Sequence, residues 1–266
     1  PTNLSSGIEL NQDGGNDAYL YASDGSAIMG GLGAFTVEVQ FASDDLTNTA
    51  LIDYHTTNNQ FNLYVDDLGR LYLTIDNGSF FRSDVIDYRT LSSGQLTTLS
   101  ATWDNTSGDV GIYVNGVLTD SGTGLRQGYT LATGGTLQIG QEQDSQLGGF
   151  QSDQVFSATL YDVRIWNEAR TDSEIAQNYH YEFDAGNLPS GLIANWQMDG
   201  FNGLGEVVDV VSGNNLSIGN ATGVGFNAST PVLGLNVDEN ASSGTVVGTV
   251  KVSDPDAGDT ASYSLV

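Results

Sequence analysis

Thr97-Thr-Leu-Ser-Ala-Thr-Trp103, a polar gap, Val110-Gly-Ile-Tyr-Val114 and then Asn115-Gly116: this stretch decides the fold. Leu99, Ala101 and Trp103 alternate with Thr98, Ser100 and Thr102. That is the two-residue period of a strand with one face on a core. Asn-Gly turns a strand back sharply, because both residues accept a positive φ. The same grammar recurs along the chain in Phe35-Thr-Val-Glu-Val-Gln-Phe41, Phe61-Asn-Leu-Tyr-Val65 and Leu71-Tyr-Leu-Thr-Ile75. Leu137-Gln-Ile139 and Ala158-Thr-Leu-Tyr-Asp-Val-Arg-Ile-Trp166 continue it, and Asp76-Asn-Gly78 is a second hairpin turn. Strands at this spacing, with no helical pattern between them, predict a sandwich or a barrel.

One short helix breaks the series. Thr171-Asp-Ser-Glu174 is a capping box before Ile175-Ala-Gln-Asn-Tyr179. A further strand pair is expected at Gly191-Leu-Ile-Ala-Asn-Trp-Gln-Met198 and Val207-Val-Asp-Val-Val211. Composition shifts near Ser229-Thr-Pro231, which divides the chain into a large domain, 1–229, and a fragment, 230–266. Some 35 residues are too few for an independent sandwich.

The 266 residues carry seven Lys+Arg against 33 Asp+Glu, a net charge of −26, and Lys251 is the one lysine. Such a surface repels nucleic-acid phosphates and anionic membranes. The self-repulsion is quieted by salt or by bound cations. Calcium, a hard ion that takes carboxylate and carbonyl oxygens, fits the surplus; so does plain solubility in a salty medium. With no cysteine, disulfides, thiolate catalysis and cysteine-ligated zinc are excluded. His55 and His180 are the two histidines, too few to favour a His-ligated transition metal. No signal peptide opens at Pro1 and no apolar run spans a membrane, so the chain reads as a piece of something longer.

Ile139-Gly-Gln-Glu-Gln-Asp-Ser145, Gly148-Gly-Phe-Gln151 and Gln154, followed by Leu160-Tyr-Asp-Val-Arg-Ile-Trp-Asn-Glu-Ala-Arg170, resemble the pentraxin and laminin-G-like families. Phe35-Thr-Val-Glu and Gly191-Leu-Ile-Ala-Asn-Trp share in the likeness, which covers roughly residues 7 to 226. The resemblance implies an all-β, two-sheet antiparallel jelly-roll sandwich of the concanavalin A-like kind, with one short helix. It implies calcium bound by Glu142, the main-chain carbonyl of Gln143, Asp144, Gln151 and Gln154. Asn58 and Asn59, in Thr57-Asn-Asn-Gln60, stand at the family's other ligand positions. Gln151 and Asn58 are amides where the family has acids, so each offers one neutral oxygen.

The C-terminal segment resembles the start of a cadherin-like repeat through Asn236-Val-Asp-Glu-Asn240 and Ser253-Asp-Pro-Asp-Ala-Gly-Asp259. That likeness points to Glu239, Asp254 and Asp256 as a second metal region. It also points to neighbouring cadherin-like repeats in one chain, as in large bacterial surface adhesins of the cadherin-repeat or RTX type. The expectation is a calcium-dependent carbohydrate-binding module on the outside of a bacterial cell. Its partners would be cell-surface glycans or extracellular polysaccharide, and it would neither bind nucleic acid nor insert into a membrane. Tyr54, Phe80, Phe81 and Arg82 are the candidate ligand contacts, read as loop residues, while Trp103, Trp166 and Trp196 read as core.

A protein-binding or spacer module with structural calcium is the alternative, and a glycoside hydrolase a further one. Hydrolysis on this fold needs two facing carboxylates. Glu38 is followed by Gln40, Glu182 and Asp184 flank a helix end, and Glu9 and Asp13 lie near a terminus. No Gly-x-Ser-x-Gly elbow, phosphate loop or dinucleotide fingerprint is present. The chain therefore reads as a binding protein and not an enzyme.

Overall fold

The computed structural model describes residues 6–11, 18–92, 94–151 and 153–227. Glu239, Asp254 and Asp256, with the whole of residues 230–266 expected to begin a cadherin-like repeat, lie outside the described residues. In chain order the strands are β1 (Gly7–Leu10), β2 (Tyr19–Ala22), β3 (Ala34–Asp45), β4 (Thr49–His55), β5 (Asn59–Val65), β6 (Leu71–Ile75), β7 (Ser79–Ser83) and β8 (Thr97–Asp104). They continue with β9 (Asp109–Val114), β10 (Val117–Gly122), β11 (Thr136–Ile139), β12 (Ser157–Trp166), β13 (Leu192–Trp196), β14 (Ser217–Gly219) and β15 (Val224–Asn227). Two antiparallel sheets result. One runs β10-β9-β8-β3-β12-β1-β15, with β13 also on β12; the other runs β14-β2-β11-β4-β5-β6-β7. This is the expected all-β sandwich. Both hairpin turns form as read, with Asp76, Asn77, Asn115 and Gly116 all at positive φ.

The core lies between the sheets. Phe35, Val37, Val39 and Phe41 of β3 and Leu99, Ala101 and Trp103 of β8 meet Tyr54, Phe61, Leu63 and Leu73 of the other sheet. Phe35 packs edge-on against Phe61 with ring centres 4.9 Å apart. The second strand of the late pair does not form. Residues 207–211 contribute only isolated bridges, Val207 to Leu216 and Asp209 to Trp196, because the Asp209 side chain binds the backbone of Asn195, Val211, Ser212 and Asn214 and curls the segment. A single-turn helix, α1 (Ser26–Met29), joins β2 to β3 without a sequence signal.

The helix expected from the capping box is α2 (Asp172–Asn178), and both reciprocal bonds of the box are present. Glu174 accepts from the Thr171 amide at 2.8 Å, which holds its carboxyl below the usual range. Thr171→Ala removes the box and is expected to cost about 1 kcal/mol in chemical denaturation; a loss of only a few tenths would mean that tertiary packing alone places α2.

That packing reaches far. Tyr113 donates to Asp172, and Thr98 to the Tyr179 carbonyl. The outer face of β3, β8 and β12 is therefore covered, and Thr36, Glu38, Gln40, Asp162 and Arg164 are all wholly buried. Arg164 lies between two carboxylates. Its Nε and Nη2 each reach Asp162 at 3.1 Å, and Nη1 reaches Glu38 at 3.4 Å. Trp166 donates to Glu38 at 2.8 Å, and the Arg170 guanidinium lies 3.8 Å over the Trp166 ring. Trp166 is thus buried as expected, but in a satellite cluster with Phe183 and Leu192 outside the sandwich. Glu38 is engaged by this network. Among the described residues no helix is long and apolar enough to cross a membrane.

Candidate functional site

Paired residues of neighbouring strands share a face. Two rows therefore cross the outer face of the β11-β4-β5-β6-β7 half-sheet. One is Gln138, Asp53, Asn62, Thr74 and Phe80; the other is Ala50, Tyr64, Tyr72 and Arg82. Residues 140–151 leave β11 and run over the edge of these rows, and residues 153–156 return to the core. The Phe156 amide bonds the Gly140 carbonyl at 2.9 Å, and the Phe156 ring packs edge-on against Phe41.

Side chains fix the shape of this loop. The wholly buried Gln143 amide donates to the Thr136 carbonyl at 2.9 Å and accepts from Thr136 Oγ1 and the Leu147 amide. Its side chain is thereby fully engaged. Gln141 donates to the Gln151 carbonyl at 3.1 Å, and Phe150 packs on Tyr19 with ring centres 4.7 Å apart. Gly149 has φ +76, and a Cβ there would fall 2.6 Å from the Asp144 Cβ. Only glycine lets the loop fold back onto Asp144.

The loop meets the β4–β5 turn. Asn59 donates to Glu142 Oε1 at 3.0 Å, and its own oxygen lies 2.7 Å from His55 Nδ1. Glu142, Gln154, Asn59, Asn62, Tyr64 and Thr74 surround a cleft of ≈ 310 Å³ on the outer face. Burial, and then the like charge of Asp144, push the Glu142 carboxyl above its ordinary range, against hydrogen bonds from Asn59 and Gln154. Gln154 Oε1 is buried and makes no hydrogen bond. Asp144 and Gln151 are exposed and meet at 3.3 Å.

Five of the seven expected metal-site residues thus gather where β11–β12 and β4–β5 meet, with Gln143 beneath them. Asn58 does not join them. The register shifts between Tyr54 and His55, and Asn58 turns toward the β6–β7 corner, 3.4 Å from Asp76, and accepts from Gln60. The candidate ligand contacts also need correction, since Tyr54, Phe80, Phe81 and Arg82 all lie on strands and not on loops. Tyr54 is wholly buried on β4 and faces the core, with its hydroxyl on the Ala132 carbonyl. Phe81 faces inward against the core and Gly122, whereas Phe80 and Arg82 point outward.

Asp53 escaped the sequence reading. It sits inside β4, wholly buried beneath the loop, with Asn62 donating to it at 3.2 Å. Burial holds its carboxyl well above the usual range, and Glu142 and Asp144 add to this. The available signal was an acid inside the apolar run Leu51-Ile-Asp-Tyr54. Among the described residues no three His, Asp or Glu side chains are grouped to hold a metal.

Two antiparallel sheets, with a ligand-sized cleft on the exposed face of one, define a lectin-like sandwich. The family description "Concanavalin A-like lectin/glucanases superfamily", of laminin-G type, matches residues 13–176, and the chain belongs to that family. Its curated relatives include pentraxins. C-reactive protein of Sus scrofa is 30% identical over 176 residues, covering 66% of this chain and 75% of the relative. Female protein of Nothocricetulus migratorius is 28% identical, over 57% and 64% of the two chains. Human pentraxin-4 is 31% identical, over 47% of this chain and 27% of its own. The chain spans less than two thirds of the length of these last two. Among solved structures, the native heptameric SAP-like pentraxin from Limulus polyphemus superposes with a TM-score of 0.59 at 23% identity, covering 85% of this chain and 96% of that one. A putative carbohydrate binding protein from Bacteroides ovatus gives 0.65 at 17%, covering 89% and 63%.

Proposed function

We propose that the protein is a calcium-dependent carbohydrate-binding module, non-catalytic, of a secreted bacterial surface adhesin. The observation that carries this reading is the convergence of Glu142 and Gln154 from the β11–β12 loop and Asn59 from the start of β5 on one cleft of an exposed sheet face. The oxygens there suit a hard cation. Glu142 and Asp144 repel one another, and Gln154 Oε1 is buried without a partner. A cation would relieve both.

The residues that would hold calcium are Glu142, Asp144, Gln154, Asn59, Gln151 and the Gln143 carbonyl, with amides supplying what the missing acids do not. Once bound, calcium offers open positions to two neighbouring hydroxyls of a sugar or to an acidic group. The chain's own residues do the rest. Gln143 pins the loop from below, so the carbonyl and carboxylates keep their places before ligand arrives. Thr74 offers a hydrogen bond to a ring hydroxyl, and Tyr64 offers an apolar wall. Residues 230–266 fit this picture as the start of the next, cadherin-like repeat.

A glycan array probed with and without chelator tests the reading. Binding to a defined glycan set that vanishes on chelation is expected; no binding in either condition, or calcium-independent capture of a polypeptide, would replace it with a spacer or protein-binding role. The pH dependence has a definite sign. The Glu142 carboxyl holds its proton to higher pH than an ordinary carboxylate, and calcium requires the ionised form. Asp144 and His55 are the charged neighbours that act on it, in opposite directions, and the nearby Asp53 carboxyl is itself pushed up by burial. Lowering the pH from about 7 to about 5 should weaken calcium binding more steeply than for a calcium site of unperturbed carboxylates. Calorimetry across that range, with proton release counted in two buffers, checks it.

A further inference from the structure

We propose that the ligand site extends beyond the Glu142 cleft, across β5, β6 and β7, and takes an oligosaccharide bearing a carboxylate or sulfate at its β7 end. This rests on reading the cleft as a glycan site and adds the length and charge of the ligand. Tyr64, Tyr72 and Phe80 form a continuous ridge on the outer face. Ring centres are 6.4 Å apart from Tyr64 to Tyr72 and 5.3 Å from Tyr72 to Phe80. Tyr64 and Tyr72 wall the cleft itself. Phe80 carries the ridge on to the next strand and is 52% exposed, where a solvent-facing strand position is ordinarily polar. Two strand spacings separate β5 from β7, about 10 Å, so a ligand that touches both the cleft and Phe80 is longer than one sugar ring. Apolar ring faces are suited to the C–H faces of such a chain.

The charge argument is independent of the rings. In a chain of net charge −26, four arginines of the described residues reach solvent, Arg70, Arg82, Arg89 and Arg126, and two of them, Arg70 and Arg82, neighbour Tyr72 of this ridge. Arg164 and Arg170 are buried elsewhere. Arg70 is held by Asp66 at 2.6 Å and backs the Tyr72 ring at 5.8 Å. Arg82 is different. It lies directly opposite Tyr72 on β7, and its ion pair is with Asp84 at 3.1 Å, the two side chains being 45% and 58% exposed. A pair so exposed is weak and exchanges readily. The guanidinium fork matches a carboxylate or sulfate.

The test titrates the full chain, in calcium, with a monosaccharide that it binds, a neutral tetrasaccharide of that sugar, and the same tetrasaccharide carrying a uronate or sulfate. The acidic tetrasaccharide should bind tightest. Phe80→Ala and Arg82→Gln should each weaken it about tenfold, leave the monosaccharide unchanged and leave the melting temperature alone. Arg82→Gln should also abolish the preference for acidic over neutral. Equal affinity of the two tetrasaccharides for the unmodified protein, or unchanged binding in both variants, overturns the extended acidic site. The calcium reading is judged separately, by chelation and Glu142→Gln with the monosaccharide. Tetrasaccharide binding that survives chelation but fails in Phe80→Ala would uphold the ridge and sink the calcium.

Discussion

Arg164→Met is expected to cost about 3–5 kcal/mol of stability, a drop of roughly 10 °C or more in Tm for a domain of this size. The guanidinium is wholly buried between Asp162 and Glu38 and also donates to the Asn178 and Tyr181 carbonyls. Methionine fills the unbranched stem but leaves the buried Asp162 carboxylate without a counter-charge and Glu38 with Arg170 alone. Burial already pushes the Asp162 carboxyl up with the arginine present. Removing the partner leaves the desolvation cost and takes away the attraction that offsets it. Urea denaturation at neutral pH measures the loss. A companion variant in which Asp162 becomes Asn along with Arg164→Met should recover much of it, because Glu38 keeps Arg170 as its counter-charge and no carboxylate of the network is then left unpaired. A loss under about 1 kcal/mol for Arg164→Met would mean that water reaches the network and screens it.

Glu142→Gln and Asp144→Asn should each lower calcium affinity on the order of 100-fold or more. Outer-shell partners of a metal alone are worth 10–100-fold, and each of these changes removes a full charge from a donor set already rich in amides. Glycan binding should fall in step. The folded state should not suffer, since Asp144 is exposed and Glu142 half-buried; in chelator the variants should melt at or above the parent, the repulsion between the two acids being gone. Equilibrium dialysis with calcium alone separates the loss of cation from the loss of sugar contacts. Unchanged calcium binding in both variants would leave the loop as a polar surface loop.

The strands and turns were legible because each is encoded within a few residues. Leu99, Ala101 and Trp103 alternate with polar neighbours, and Asn115-Gly116 accepts positive φ with no help from elsewhere. The Thr171–Glu174 box is equally local. The failures are all of another kind. Tyr54 and Phe80 are both aromatic residues beside a turn, but one faces the core and the other solvent, and only the strand register tells them apart. Asn58 and Asn59 are adjacent in sequence and diverge because the register shifts between Tyr54 and His55. Glu38, Asp162 and Arg164 occupy the polar phase of their strands, the phase that ordinarily faces water. They are buried because α2 and the chain after it lie across that face.

The sequence by itself determined the all-β sandwich, its hairpins, its one capped helix and the polar loop from Gln141 to Gln154. Those features follow from periodicity, backbone sterics and short-range hydrogen bonds. Tertiary structure alone decided which polar residues meet. Glu142 touches Asn59 across 83 positions, Asp53 lies beneath the loop, and the Tyr64–Tyr72–Phe80 ridge is assembled from three strands. The reason is physical: a strand position carries information about which face it occupies, whereas its neighbours across the sheet are set by the register and by the loops that cover it.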